Sequence, residues 1–517
     1  MGKEIRVYGD PGSGKTGKLA NEIVPNLIEK YGNDKVMLTS FTKAAAKELS
    51  SRVKDIDPSM VGTLHSFCFR ALKQPALTEK YLSNWDEEYP NYAFYVDKSV
   101  GKECMSRYQI YRNKMVPEEK WSPDVQAFAN AWVEWKMKYA YMDFIDIIEE
   151  GGQFFSPPGS PSAIVVDEAQ DFTKLEMKLI RQWGSQVQEL WLVGDANQTI
   201  FSFSGASASN MIYPEIDKEQ KIYLTKSWRV PSLIHAIGQR IIKRVKVREE
   251  EMVSVPRDAE GKVSYGNDGY TTPAWVVKKA LENKGTSMIL TSCNYMLHPV
   301  IQELRNKGVP FSNPWRKEEK AWNPLNTLGT DVLKFFLNTG EDNNYWSAEQ
   351  FVYWAESLKV GPDGLIRKQG RAGIKRLKEI MEQYPDMEGL HTCREFIEDI
   401  LSPDAVKKAL SRDTEWLYQN LIKAKQTTIS YAMRVYQKQG HAALFKTSNI
   451  FVGTIHSTKG AEADNVFLYP DISYASSKEA EYRDGYDNLC RLFYVGVTRA
   501  KEQLILMPQC TKNFFEI

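Results

Sequence analysis

Gly9-Asp-Pro-Gly-Ser-Gly14-Lys15-Thr16 closes an apolar run, Ile5 to Gly9, and opens a helix-like run at Lys15. The pattern is G-x-x-x-x-G-K-[ST], set between a strand and a helix. Glycines there let backbone N–H groups of Gly12, Ser13 and Gly14 close around phosphate oxygens, and a helix N-terminus adds a favourable dipole. Lys15 is the residue to reach the outer phosphates, and the Thr16 hydroxyl is a magnesium ligand. A strand, a phosphate loop and a helix start an α/β unit.

Outward from the loop, strand-like runs alternate with helix-like ones. Val36–Phe41 is followed by a helix through Leu49, and Ala163–Val166 and Leu190–Gly194 are further apolar strands. This predicts a parallel sheet covered by helices. A second stretch repeats the rhythm at Ile222–Leu224, Met288–Thr291, Phe451–Ile455, Val466–Tyr469 and Leu504–Met507, with helices at Pro231–Lys243 and Asn488–Ala500. Two regions break it: about 72–159, aromatic and helix-like, and about 312–446, amphipathic helices with loops. The expected fold is α/β: two parallel-sheet domains, each with a mostly helical insertion. The predicted boundaries are 1–71 with 160–211, insertion 72–159, then 212–312 with 447–517, insertion 313–446.

The strand Ala163-Ile-Val-Val ends in Asp167-Glu168-Ala-Gln-Asp171. Asp167 at the strand tip is placed to hold magnesium, and Glu168 to accept a proton from an attacking water. The next strand ends in Gly194-Asp-Ala-Asn-Gln198, where Gln198 is a candidate sensor of the terminal phosphate. Phosphoryl transfer needs cations against its transition-state charge; Arg229 and Arg499 are the candidates, although either, taken alone, also reads as an ordinary surface or salt-bridging arginine. Segments pairing aromatics with hydroxyls and histidine, Thr39-Ser-Phe-Thr-Lys43, Gly62-Thr-Leu-His-Ser-Phe67, Phe201-Ser-Phe203 and Gly453-Thr-Ile-His-Ser-Thr-Lys-Gly460, suit base stacking and phosphate contacts, and equally suit ordinary packing.

In 517 residues, 67 basic and 66 acidic side chains leave a net charge of +1. That balance argues against a coating protein relying on bulk electrostatics and leaves room for a local basic groove. The six cysteines, Cys68, Cys104, Cys293, Cys393, Cys490 and Cys510, form no C-x-x-C pair. Reduced, mostly buried thiols are expected, without zinc or an iron–sulfur cluster. No apolar run approaches the roughly 18 residues of a membrane helix, and no signal peptide is visible, so a cytoplasmic protein is expected.

Taken in order, the segments resemble the UvrD/Rep/PcrA helicases of superfamily 1. Gly9–Thr16 resembles motif I, Ser40–Leu49 motif Ia, Asp143-Phe-Ile-Asp146 the D-F-x-D segment, and Asp167–Asp171 motif II. Gly194–Phe201 resembles motif III, Ser227-Trp-Arg229 motif IV, Thr454–Glu462 motif V and Arg491–Ala500 motif VI. The resemblance implies two RecA-like motor domains with ATP and magnesium between them. It implies Trp228 stacked on the base, Glu462 at the ribose, and Arg229 and Arg499 reaching the γ-phosphate from the second domain. Phe41, Thr42, His65, Phe201, Phe203 and His456 would line a single-strand path. The implied activity is 3′→5′ translocation on single-stranded DNA with duplex unwinding. Single-stranded DNA and its junctions with duplex would be the partners, with an accessory replication or repair protein beside them. A protein-stripping translocase and a nucleotide-switched interaction subunit are the alternatives weighed; a P-loop kinase or GTPase leaves the second α/β unit unexplained.

The chain departs from the family pattern. Eight residues precede Gly9, leaving no room for the upstream glutamine motif that reads adenine, so relaxed base selectivity is expected. Phe203 and Ser204 stand where motif III usually has tryptophan and arginine. Motif VI opens as Asp487-Asn-Leu-Cys-Arg491, with fewer charges than usual.

Overall fold

The computed structural model describes residues 2–95, 99–154, 156–266, 272–314, 323–338, 345–366, 368–383, 392 and 394–517. They form two compact units. The first comprises 1–264, 470–504 and 509–517; the second comprises 265–469 and 505–508.

The first unit is built on a six-stranded sheet. Its order is Val61–Gly62, Val36–Ser40, Ala163–Asp167, Glu189–Gly194, Lys3–Gly9 and Lys221–Leu224, and every pairing is parallel. Both faces are covered, which explains why the strands read as unbroken apolar runs. Alternate residues feed opposite cores: Val36, Leu38, Ala163 and Val165 enter one cluster with Val7 and Val193, while Met37, Ile164 and Val166 enter the other with Leu192. The register aligns Ser40 with Asp167 and Tyr8 with Gly194. The carboxyl ends of the central strands therefore share one edge, where open α/β sheets bind ligands.

Ile222–Leu224 was expected in the second α/β unit. It instead pairs with Lys3–Gly9, matching Leu224 to Gly9, as the last strand of the first sheet. Its Ile222 and Leu224 pack on the Val7 and Val193 cluster, and that burial outweighs proximity in the chain to the second stretch.

Helices Leu82–Glu88, Val100–Asn113, Pro123–Tyr139 and Phe144–Phe154 fill most of 72–159. Their core is aromatic: Trp85, Phe128, Trp132 and Trp135 are buried together. Beneath it, Asp143 accepts hydrogen bonds from Arg112 (3.2 Å), Lys136 (2.6 Å), Trp132 Nε1 (3.0 Å) and the backbone N–H groups of Ile145 and Asp146 (both 2.9 Å). Arg112 also donates to Asp146 at 2.8 Å. The two acids of the D-F-x-D segment are thus anchors of a buried ion network.

In the second unit, Ser287–Thr291 lies between Ile450–Thr454 and Ala463–Leu468, all parallel. Helices including Leu328–Leu337, Ala348–Ala355, Pro403–Leu410 and Lys423–Gln439 occupy the region between the first two of these strands in sequence. Among the described residues, no helix is long and apolar enough to cross a membrane. Cys68, Cys104 and Cys490 are buried, Cys293 is half-buried and Cys510 exposed; Cys393 lies outside the described residues.

Candidate nucleotide and nucleic-acid site

The phosphate loop turns through two left-handed glycines, Gly12 (φ 76°) and Gly14 (φ 83°). Gly14 caps the Lys15–Lys18 helix, which runs through a π segment, Leu19–Ile23, into Val24–Tyr31. Gly12 is fixed by packing as well as by its φ: a Cβ there would lie 2.3 Å from Arg229 Cβ. Lys15 Nζ donates to the carbonyls of Gly9 (2.6 Å) and Asp10 (3.3 Å), inside the loop it serves.

Motif IV is stitched to this loop. Ser227 Oγ donates to the Pro11 carbonyl at 2.7 Å and Trp228 N–H to the Gly12 carbonyl at 2.8 Å. This sets Trp228 beside the loop, its Cδ1 4.0 Å from where a Cβ on Gly14 would stand, with 70% of its surface exposed. An indole held by its backbone and open on its face is suited to stack on a nucleobase. Arg229 is half-buried next to it.

Asp167 is buried at its strand tip, and its Oδ1 has no hydrogen-bond partner among the described residues. Burial and the adjacent Glu168 push its pKa up to about 7. The Thr39 and Ser40 hydroxyls on the neighbouring strand are likewise buried without partners. A divalent cation would satisfy such an oxygen and restore the carboxylate, so Asp167 suits a magnesium ligand. Glu168 follows with φ 52° and ψ 41°, left-handed for a residue with a Cβ. Backbone strain of this kind, of order 1–3 kcal/mol, concentrates at functional sites.

Gln170 holds that turn. Its amide donates to Glu168 Oε2, and its carbonyl accepts from Asp195 N–H at 2.9 Å. Gly194 makes room, since a Cβ there would fall 2.2 Å from Gln170 Oε1. Asp195 in turn accepts from Gln198 Nε2 at 2.7 Å, and Gln198 Oε1 accepts from Arg499 Nη2 at 3.0 Å. Arg499 is fully buried and donates through Nε to the Val495 carbonyl at 3.0 Å. An unbroken chain of bonds therefore joins Glu168 to Arg499.

Aromatic side chains run outward from the first unit's core. Phe41 meets the buried Phe172 edge-on at 5.8 Å and stacks on Phe201 at 5.7 Å; Phe201 meets Phe203 at 5.9 Å. Phe203 is 61% exposed. Asn113 Nδ2 donates to the Ser204 carbonyl at 3.0 Å and buttresses this turn. His65 is half-buried, 3.7 Å from Glu176 Oε1 and edge-on to the exposed Phe144 at 5.8 Å. Burial holds its pKa down against the pull of Glu176. Thr42 is committed to local structure: its hydroxyl accepts from Ala45 N–H at 3.1 Å and caps the Lys43–Arg52 helix.

His456 and Glu462 belong to the second unit, past the Ile450–Thr454 strand. There Asn313 Nδ2 donates to Ser457 Oγ at 3.0 Å, and Ser457 Oγ donates to the Thr454 carbonyl at 2.9 Å. Glu462 is exposed.

Two family models match this chain. The AAA domain covers residues 2–204 and the UvrD-like helicase C-terminal domain covers 342–509. Together with the relatives, they mark the chain as a UvrD/PcrA-like helicase. It is 22% identical over 600 residues to ATP-dependent DNA helicase PcrA of Bacillus subtilis (strain 168), spanning 98% of this chain and 80% of the relative. It is 24% identical over 600 residues to the probable DNA helicase II homolog of Mycoplasma capricolum, spanning 98% of this chain and 82% of the relative.

In this chain, the first unit holds Gly12, Ser13, Gly14, Lys15, Thr16, Asp167, Glu168, Gln198, Trp228, Arg229 and Arg499. The sequence reading expected the two arginines from a second domain; both fall in the unit that carries the phosphate loop. It gave no role to Asp10, Gln170, Asp195, Tyr494 or Phe144. All five lie inside quoted motifs, and that position was the one hint of their part.

Proposed function

We propose that this chain is an ATP-driven DNA helicase that moves 3′→5′ along single-stranded DNA and opens duplex ahead of it. The observation that carries the reading is the bonded chain from Glu168 through Gln170, Asp195 and Gln198 to Arg499, beside a phosphate loop stitched to Trp228 and Arg229. Lys15 and the loop N–H groups would take the phosphates, and Glu168 would orient and deprotonate the attacking water. Gln198, Arg229 and Arg499 would answer the charge that develops on the transferred phosphoryl group. Magnesium, held by Asp167 and Thr16, would neutralise phosphate oxygens. Trp228 would stack on the base and Glu462 meet the ribose.

A division into two RecA-like motors with insertions at 72–159 and 313–446, the first motor keeping the Lys221–Leu224 strand, is part of this proposal. So is a single-strand path along Phe41, Thr42, His65, Phe201, Phe203 and His456. A cytoplasmic location and an accessory replication or repair partner accompany the same reading.

The test is hydrolysis of ATP with and without single-stranded DNA, for the native protein and Lys15→Ala. Strong stimulation by DNA, absent in the variant, is the expected result. Hydrolysis indifferent to DNA would overturn the substrate assignment. Displacement of a 3′-tailed but not a 5′-tailed duplex strand then fixes direction, and removal of a bound protein without strand displacement would favour a stripping translocase.

Phe203 gives a second check. Base–aromatic stacking contributes about 1–3 kcal/mol per base, so Phe203→Ala should weaken oligo(dT) binding by that amount in an anisotropy titration at fixed salt. Unchanged affinity would remove Phe203 from the path.

A further inference from the structure

Asp10 and Tyr494 join the phosphate loop to the helix that leads to Arg499. Asp10 is the first residue inside the loop, directly after Gly9, and is 3% exposed. Its Oδ1 accepts from the Tyr494 hydroxyl at 3.4 Å, and its Oδ2 has no partner among the described residues. The neighbouring charges are Lys15, whose ammonium bonds the Asp10 carbonyl, and the buried Asp195 carboxylate. Burial and Asp195 together push the Asp10 pKa up to about 7. A carboxyl in such a place gains most from a fixed donor, and Tyr494 is that donor.

Tyr494 is fully enclosed. Its ring lies against Gly238, where a Cβ would stand 3.4 Å from Tyr494 Cδ2 and Cε2. It sits on the Arg483–Val497 helix, five residues before Arg499, and the Val495 carbonyl next to it receives Arg499 Nε. The same short stretch of helix thus bonds the loop through Tyr494 and seats the Arg499 side chain through Val495. At 3.4 Å the contact is longer than the usual hydroxyl–carboxylate bond of about 2.5–3.0 Å, so a shift of a few tenths of an ångström in the loop tightens it into a full bond or breaks it.

We propose that Asp10 and Tyr494 form a positioning pair, through which the conformation of the phosphate loop sets the placement of Arg499 for phosphoryl transfer. The inference rests on the ATPase reading above. Neither residue is assigned contact with nucleotide; both act through the loop and Arg499.

The test uses the full chain in steady-state ATP hydrolysis with saturating single-stranded DNA. Asp10→Ala and Tyr494→Phe should each lower kcat about tenfold, the scale of one buried hydrogen bond, with KM nearly unchanged. The double variant should be no slower than either single one, because both remove the same bond. Asp10→Asn retains an acceptor oxygen and should stay near native activity. Binding of a fluorescent ADP analogue and the melting temperature should move little. Additive losses, an effect confined to KM or to melting, or Asn behaving like Ala would overturn the pair. If Asp10→Ala does not fold, Tyr494→Phe alone carries the test, and an unchanged kcat in it overturns the pair. A native protein that hydrolyses no nucleoside triphosphate would overturn the ATPase reading and the pair with it; an active native protein with unaffected variants overturns the pair alone.

Discussion

Glu168→Gln is expected to bind nucleotide normally and hydrolyse it about 10³-fold more slowly, within the range for loss of a general base. The substitution keeps the shape of the side chain and an oxygen for the Gln170 amide, so the bonds from Gln170 to Asp195 and onward to Arg499 survive. What disappears is a basic oxygen at the end of the Ala163–Asp167 strand. The left-handed backbone at Glu168 is maintained by its surroundings, including the Gln170 clamp that needs Gly194, and is unaffected by the change. Single-turnover hydrolysis and binding of a fluorescent ADP analogue separate the two quantities. A loss confined to binding would mean that Glu168 is a structural acid and that the proton acceptor lies elsewhere.

The second large effect is on stability. Asp143→Ala should cost about 3–5 kcal/mol, the usual penalty for stranding a buried charge. Arg112 and Lys136, both buried, would lose one of the two carboxylates they share, keeping Asp146, and the helix starting at Phe144 would lose the carboxylate that bonds Ile145 and Asp146 N–H. Burial alone would raise the Asp143 pKa, but Lys136 and then Arg112 outweigh it and hold the group at about 2. A carboxyl of roughly 3.9 in the unfolded chain and lower in the folded one stabilises fully above about pH 4. That stabilisation is lost as the pH falls toward 2. Urea unfolding of the native protein and the variant, monitored by tryptophan fluorescence near Trp132 and Trp135, tests the cost. A loss below about 1 kcal/mol, typical of a surface pair, would show that the network is dispensable.

Much of the candidate site was legible because it is local. The glycines of the loop, the carboxylates after Val166 and the polar end of the Glu189–Gly194 strand each declare themselves within about ten residues. The parallel sheet was legible for a related reason: strands buried on both faces leave apolar runs such as Ala163-Ile-Val-Val. What was hidden depends on tertiary approach. Asp10 and Tyr494 lie 484 positions apart, and nothing near either one marks it as the partner of the other. Ile222–Leu224 misled because its strand character was plain while its sheet was set by burial against Val7 and Val193. The D-F-x-D acids read as a motif without a role, since their partners Arg112 and Lys136 come from two other helices.

Arg112 and Asn113 are consecutive, yet they face different duties. Arg112 closes the acid network inside the helical insertion, while Asn113 holds the Ser204 carbonyl beside the exposed Phe203. The peptide bond between them is therefore a mechanical joint. An engineer who exchanged residues 72–159 for a shorter connector would gain a smaller protein but release the aromatic turn. A replacement insertion would have to bring its own donor to Ser204, seated on a helix end as firmly fixed as this one.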